Sequence, residues 1–348
     1  MQDINHRIIE AIERAQQGEL QQATLFFAPD EIRRARLNEL LFFVKPEITR
    51  RSAAGVDYAG VFGVVFDRLR AFDIAVREIQ ILGADHLKRH DVMALHYGTI
   101  HSLCVDADQS MSDAAREAFG RVYGVPAGQA KILGAFQFMA KFGIDDPKAL
   151  NAIWQAAPVT KIGPGACTAP IKTGGETIYM VNGFHPAQLE KYETTGNSIV
   201  AFTLETDTDW KTLRRDFIGV TDPCEAAPGS LRRISLEQQA SLGLGNVSKG
   251  DNGYHLSAGP VEGLAELCRF STDPQTGKKR SLDAFRLGKA LVSGYGEATT
   301  RSLMANAVVI HEGKQARIFD ITEETNTDTA LRTIAASRVN PPPGVLSP

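Results

Sequence analysis

The sequence has few cysteines, no long apolar run and no excess of one charge, and each shortage removes a class of protein. Four cysteines in 348 residues (Cys104, Cys167, Cys224, Cys268) stand far apart, without a Cys-x-x-Cys pair or His–Cys ligand spacing. Neither a disulfide framework nor a zinc ribbon is expected, and four thiols in a reducing compartment are. The longest apolar stretches cover 40–44 and 61–66, far below the roughly 20 residues of a membrane-spanning helix. Residues 1–17 lack a cationic head followed by an apolar run, so no signal peptide is expected. The expectation is a soluble, cytoplasmic protein with no membrane partner. Lys and Arg number 38 against 41 Asp and Glu, a net charge of −3, which argues against holding nucleic acid by bulk electrostatics. No internal repeat or low-complexity tract interrupts the chain. At this length, with 43% hydrophobic residues, about two domains can build their cores without staples.

Periodicity outlines the elements. Ile4, Ile8, Ile9 and Ile12 form one stripe at helical spacing, and Leu40 to Val44 reads as a buried strand stopped at Lys45-Pro46. A helix follows over 58–70, then a strand over 73–82 with Ile74, Val76, Ile79 and Ile81 as its apolar set, then a helix over 84–96. Between 102 and 160, three helical segments are punctuated by Gly, Pro and Asp, and the Gly- and Pro-rich stretch 162–176 reads as a loop. A helix at 186–194, a strand at 198–205 and a helix at 208–216 come next, and the chain is loop-like from Pro223 to about 250. A short strand at 253–257 and a helix at 259–269 follow. A further helix near 281–294, a hairpin turning at Glu312-Gly313 and an extended ending from Ser337 complete the reading.

Few residues stand out for chemistry. The glycines of 163–175 lack the Gly-Lys-[Ser/Thr] ending of a phosphate-cradling P-loop. The paired carboxylates Glu323-Glu324 are expected to face solvent. One constellation differs. Residues 210–233 combine arginines, a Thr221-Asp222-Pro223 turn and a Pro228-Gly229-Ser230 turn, and guanidinium forks match phosphate oxygens bidentately. His255 follows on a short strand, and Glu266, eleven residues on, can reach back to it from a helix. A histidine oriented by a carboxylate and facing arginines is a candidate phosphoryl acceptor.

Six segments in order carry a resemblance. They are Lys45-Pro46-Glu47 with Arg51; His96-Tyr97 followed by Ile100; Arg215, Gly219, Thr221, Asp222 and Pro223; Pro228-Gly229-Ser230-Leu231-Arg232; Asn252 with His255 and Ser257; and Glu266. Together they resemble the nucleoside-diphosphate kinases over 37–101 and 178–270. The resemblance implies an α+β fold, a ferredoxin-like βαββαβ antiparallel sheet. Around that core it leaves an N-terminal helical extension (1–36), a helical insertion (102–177) and a C-terminal extension (271–348) with a helix and a β-hairpin.

The implied activity is transfer of the γ-phosphate of ATP, or another nucleoside triphosphate, to a nucleoside diphosphate through a phosphohistidine at His255. Lys45, Tyr97, Ser257 and Glu266 would serve that chemistry. Lys45, Arg215, Thr221, Arg232, Asn252 and Ile100 would hold the nucleotide and its phosphates. Mg²⁺ would be the cofactor, held by the phosphates and not by protein ligands. The resemblance also raises a homo-oligomer as a partner. The sequence departs from the family at Leu256, at Ser257-Ala258-Gly259, and in an arginine that has no counterpart; Phe184 or His185 stands nearest to a base-stacking position. Two other readings stay open: a catalytically weak nucleotide-binding regulatory module, and a phosphohistidine phosphotransferase with a different small-molecule acceptor.

Overall fold

The apolar run before Lys45-Pro46 is an interior strand of a five-stranded sheet. The computed structural model describes residues 2–28, 34–50, 55–272 and 278–339. It divides into two compact units, Met1–His86 with Thr195–Pro348, and Leu87–Thr194. In chain order the described strands are β1 (Gln22–Phe27), β2 (Asn38–Val44), β3 (Ala75–Gly83) and β4 (Ile132–Gly134). Then come β5 (Thr160–Gly163), β6 (Ala166–Thr173), β7 (Glu176–Val181) and β8 (Ser198–Thr206). Last are β9 (Tyr254–Leu256), β10 (Val308–His311), β11 (Lys314–Arg317) and β12 (Arg338–Val339).

The first unit carries an antiparallel five-stranded sheet in the order β1-β3-β8-β2-β9. Because side chains alternate along a strand, β2 presents Leu40, Phe42 and Val44 to one face and Glu39 and Phe43 to the other. The first face joins Val200, Phe202, Leu204, Tyr254 and Leu256 in the main core. Helices Gln2–Gln16 and Tyr58–Ala71 cover it with Ile8, Ile12, Val61, Phe62 and Val65, as the isoleucine stripe predicts. In β3 the pairing register shifts between Val76 and Glu78. That bulge moves the apolar set from even to odd numbers, so Ile79 and Ile81 reach the core while Glu78 and Gln80 are buried on the opposite face.

On that opposite face, helix Pro260–Phe270 packs along β2. Phe43 sits opposite His255 in the β2–β9 register. The sequence reading lacks the edge strand β1, the helix Leu231–Glu237 inside the supposed loop after Pro223, and the helices Ile318–Thr322 and Thr327–Ala335 after the hairpin. The hairpin β10–β11 turns at Glu312-Gly313 as read, both with positive φ. The extended ending read from Ser337 falls mostly outside the described residues.

The second unit pairs helices with a four-stranded sheet, β4-β7-β6-β5, in which β4–β7 is parallel and the other pairs are antiparallel. Three helical segments lie where expected, Asp113–Tyr123, Ala135–Phe142 and Pro147–Gln155. The loop expected over 162–176 is instead β6 with parts of β5 and β7, and the insertion is thus not purely helical. Gly165, Gly174 and Gly175, all at positive φ, make the hairpin turns, and Ala166–Thr173 between them supplies the strand. The helix read over 84–96 is broken into Ala84–Arg89 and Val92–His96, with Asp91 left-handed between them (φ 50°). Among the described residues no helix is long and apolar enough to cross a membrane. All four cysteines are free.

Candidate active site

His255 occupies the centre of β9, at the sheet edge. Its ring stacks on Phe43 (centroids 4.6 Å apart, 21° between planes), and its Nε2 lies 2.9 Å from Oε1 of Glu266 on helix Pro260–Phe270. Glu266 is itself buried, and its other oxygen accepts a hydrogen bond from the Ser257 hydroxyl. Ser257 Oγ also accepts from Leu41 N (3.0 Å), and Ser257 O accepts from the indole of buried Trp210 (3.1 Å). In the tautomer whose Nε2–H donates to Glu266, the imidazole lone pair lies on Nδ1. Burial lowers the His255 pKa, Glu266 opposes that shift, and the positive charges of Lys45 and Arg214 add to it. The imidazole is therefore neutral at physiological pH.

Among the described residues no strand pairs with the outer edge of β9. Arg232 Nη2 donates to Tyr254 O (2.9 Å) and Arg214 Nη1 to Leu256 O (3.0 Å), so guanidiniums grip the backbone on either side of His255. Arg232 is buried, which brings its pKa down to about 10 and still leaves it charged. Its Nη1 donates to Gly219 O (2.8 Å), while its Nε is buried without a hydrogen-bond partner among the described residues.

Beside these arginines is a cavity of about 350 Å³ whose walls include Lys211, Arg214, Arg215, Thr221, Arg232 and Glu324. The three residues singled out for phosphate, Arg215, Thr221 and Arg232, thus share one cavity. Arg215, however, is exposed and makes a two-pronged ion pair with its neighbour Asp216 (2.8 Å each). Arg214, which the sequence reading passed over, is the arginine turned to β9. Arg214 lies in the π-helical segment Leu213–Ile218. A signal was present in the sequence. Trp210 and Phe217 are buried, and Arg214, four residues after one and three before the other, falls on their side of the helix.

Lys45 directly follows β2 and donates from Nζ to Asn252 Oδ1 (2.6 Å), with Glu47 Oε1 at 4.0 Å. Asn252 in turn donates to Thr221 O (3.1 Å), and Glu47 accepts from Gly253 N (3.0 Å). Asn252 and Glu47 also line a smaller cavity of about 90 Å³. Lys45, Asn252 and Thr221 thus form one chain of contacts, and Lys45 lies close enough to His255 to affect its ionisation.

Tyr97 and Ile100 belong to the second unit. Tyr97 OH lies 3.3 Å from Tyr192 OH and accepts from Gln188 Nε2 at 3.3 Å; Ile100 packs against the Cys104–Phe138–Trp154 core. His185 is fully buried with Nε2 3.2 Å from His101 Nδ1, so it offers no open face for stacking a base. Phe184, half-buried, leans on Trp154 (centroids 6.1 Å apart). Arg51 lies outside the described residues. No protein-family model matches this chain, and no curated protein matches it.

Proposed function

We propose that this protein is a phosphotransferase of the nucleoside-diphosphate kinase type, passing the γ-phosphate of a nucleoside triphosphate through His255 to a diphosphate. The observation that carries the reading is His255 held by a buried, doubly engaged Glu266, on a strand whose flanking carbonyls are gripped by the cations of one cavity. The fold supports it. Taking β2, β3, β8 and β9 as first to fourth strands, the order is 2-3-1-4 with every pair antiparallel. That order is the one expected of a ferredoxin-like βαββαβ sheet, with β1 as an added edge strand.

Nδ1 of neutral His255 attacks the γ-phosphorus. The bond to the bridging oxygen breaks, and that oxygen leaves with the electron pair on the departing diphosphate. A terminal oxygen of a second diphosphate then attacks the phosphorus, and the P–N bond breaks back to the imidazole. Glu266 keeps the proton on Nε2 and offsets the positive charge that the ring acquires, while Ser257 fixes the carboxylate. Arg214, Arg215, Arg232 and Lys211 neutralise phosphate charge, and Thr221 donates to it. Lys45 and Asn252 would reach the ribose hydroxyls.

The cavity offers four cationic side chains but one carboxylate and one hydroxyl, too few hard oxygens for a resident octahedral ion. Mg²⁺ therefore enters as part of the substrate, on the phosphates. A second reading, a weakly catalytic nucleotide-binding module, is favoured by one feature: Arg214 and Arg232 already spend donors on backbone carbonyls.

Transfer of phosphate from ATP to GDP tests the choice. Wild type makes GTP, His255→Ala makes none, and Glu266→Gln is slower by roughly 10²-fold. ATP binding without transfer in wild type would leave the module reading instead.

A further inference from the structure

Glu324, expected from the sequence to face solvent, lines the cationic cavity with Arg214, Arg215, Thr221 and Arg232. Its Oε1 stands 3.9 Å from Arg214 Nε. The segment carrying it is pinned on both sides. Glu324 N donates to Ala258 O (2.9 Å). Two residues on, Asn326 accepts from Trp210 N (3.0 Å) and donates to Asp209 Oδ1 (3.0 Å). On the other side Thr322 O comes so close to Gly259 that a β-carbon there would meet it at 2.5 Å. Glu324 also holds a left-handed backbone (φ 54°), a conformation glycine adopts freely and a glutamate does not. Carboxylate and strain thus coincide at a place where the backbone alone calls for glycine.

We propose that Glu324 is an internal anion of this cavity, a specificity-determining residue that an incoming phosphate must displace from Arg214. The proposal rests on the cavity being the phosphate site described above. A carboxylate at Arg214 stands in for one phosphate oxygen, and its negative charge opposes any second anion nearby. Affinity for polyphosphate is thereby held down, and the occupied cavity keeps its cations balanced.

Calorimetric titration of the full-length chain with inorganic tripolyphosphate measures this without turnover. Glu324→Gln should bind about three- to fivefold tighter than wild type, the scale of one partly exposed charge contact. Glu324→Gly, whose backbone suits the turn, should do the same and serves if the glutamine variant fails to fold. Glu323→Gln removes the same charge outside the cavity lining and should keep the wild-type affinity. Unchanged or weaker binding in both Glu324 variants overturns the proposal while leaving the phosphate site standing. An equal gain in Glu323→Gln also overturns it, in favour of net charge. If wild type and both Glu324 variants fail to bind tripolyphosphate, the phosphate-site reading falls and this proposal falls with it.

Discussion

At the residue scale, two histidines show burial acting on the same side chain with different consequences. His185 is enclosed against His101, and burial takes its pKa from 6.5 down to about 4, with the neighbouring imidazole adding to the shift. The unfolded chain therefore binds a proton that the folded chain refuses, so stability falls as pH drops from about 6.5 towards 4, by on the order of 3 kcal/mol. Thermal melts at pH 7 and pH 4.5 check this: wild type should lose more melting temperature across that interval than His185→Gln. Equal losses would mean that another group sets the acid limit. His255 is also pushed down by burial, which keeps the imidazole neutral, while Glu266 on one ring nitrogen opposes that shift and orients the ring. The His255–Glu266–Ser257 group was legible in the sequence because a strand and the helix after it are neighbours in space. The resemblance points to Arg215 through its spacing to Gly219 and Thr221, whereas the spacing of Arg214 from buried Trp210 and Phe217 is the signal for the arginine that reaches β9. Glu324 was not legible, since its contact with Arg214 joins residues 110 positions apart in the chain.

At the element scale, the site depends on the outer edge of β9 being closed by arginines and not by another strand. Gly219 makes that closure fit. It takes φ 88°, its carbonyl accepts from Arg232, and a β-carbon there would meet Ser230 Oγ at 2.5 Å. Gly219→Ala should cost about 1–3 kcal/mol in urea unfolding and weaken tripolyphosphate binding with it. A change within about 0.5 kcal/mol, the range of an ordinary surface substitution, would contradict that role. Elements with strong periodicity were readable in advance: the isoleucine helix, the Leu40–Val44 strand and the hairpin at Glu312-Gly313. Those with a weak apolar signal were not. Strand β1 is an edge with Leu25 as its one fully buried residue. In 162–176 four glycines and two prolines mask the strand signal, so the whole stretch reads as a loop although β6 runs through it. The bulge at Arg77 broke the alternation of β3 at the point where a simple count of alternate residues fails.

At the scale of the whole molecule, residues 87–194 form a unit of their own between β3 and β8, two strands that pair directly in the five-stranded sheet. A pairing that spans so long an excursion is set by the sheet's own core, Ile79 and Ile81 beside Val200 and Phe202. The boundaries of that unit fall wider than the insertion read from motif spacing, because Tyr97 and Ile100 pack with it. The account as a whole stands on His255 as a phosphoryl carrier. The most direct test is the intact mass of the full-length protein after brief incubation with ATP and Mg²⁺, beside His255→Ala. The account predicts one acid-labile phosphoryl group on wild type, none on the variant, and its loss when GDP is added. An unmodified wild type that still binds ATP, or an equal modification of His255→Ala, would contradict it.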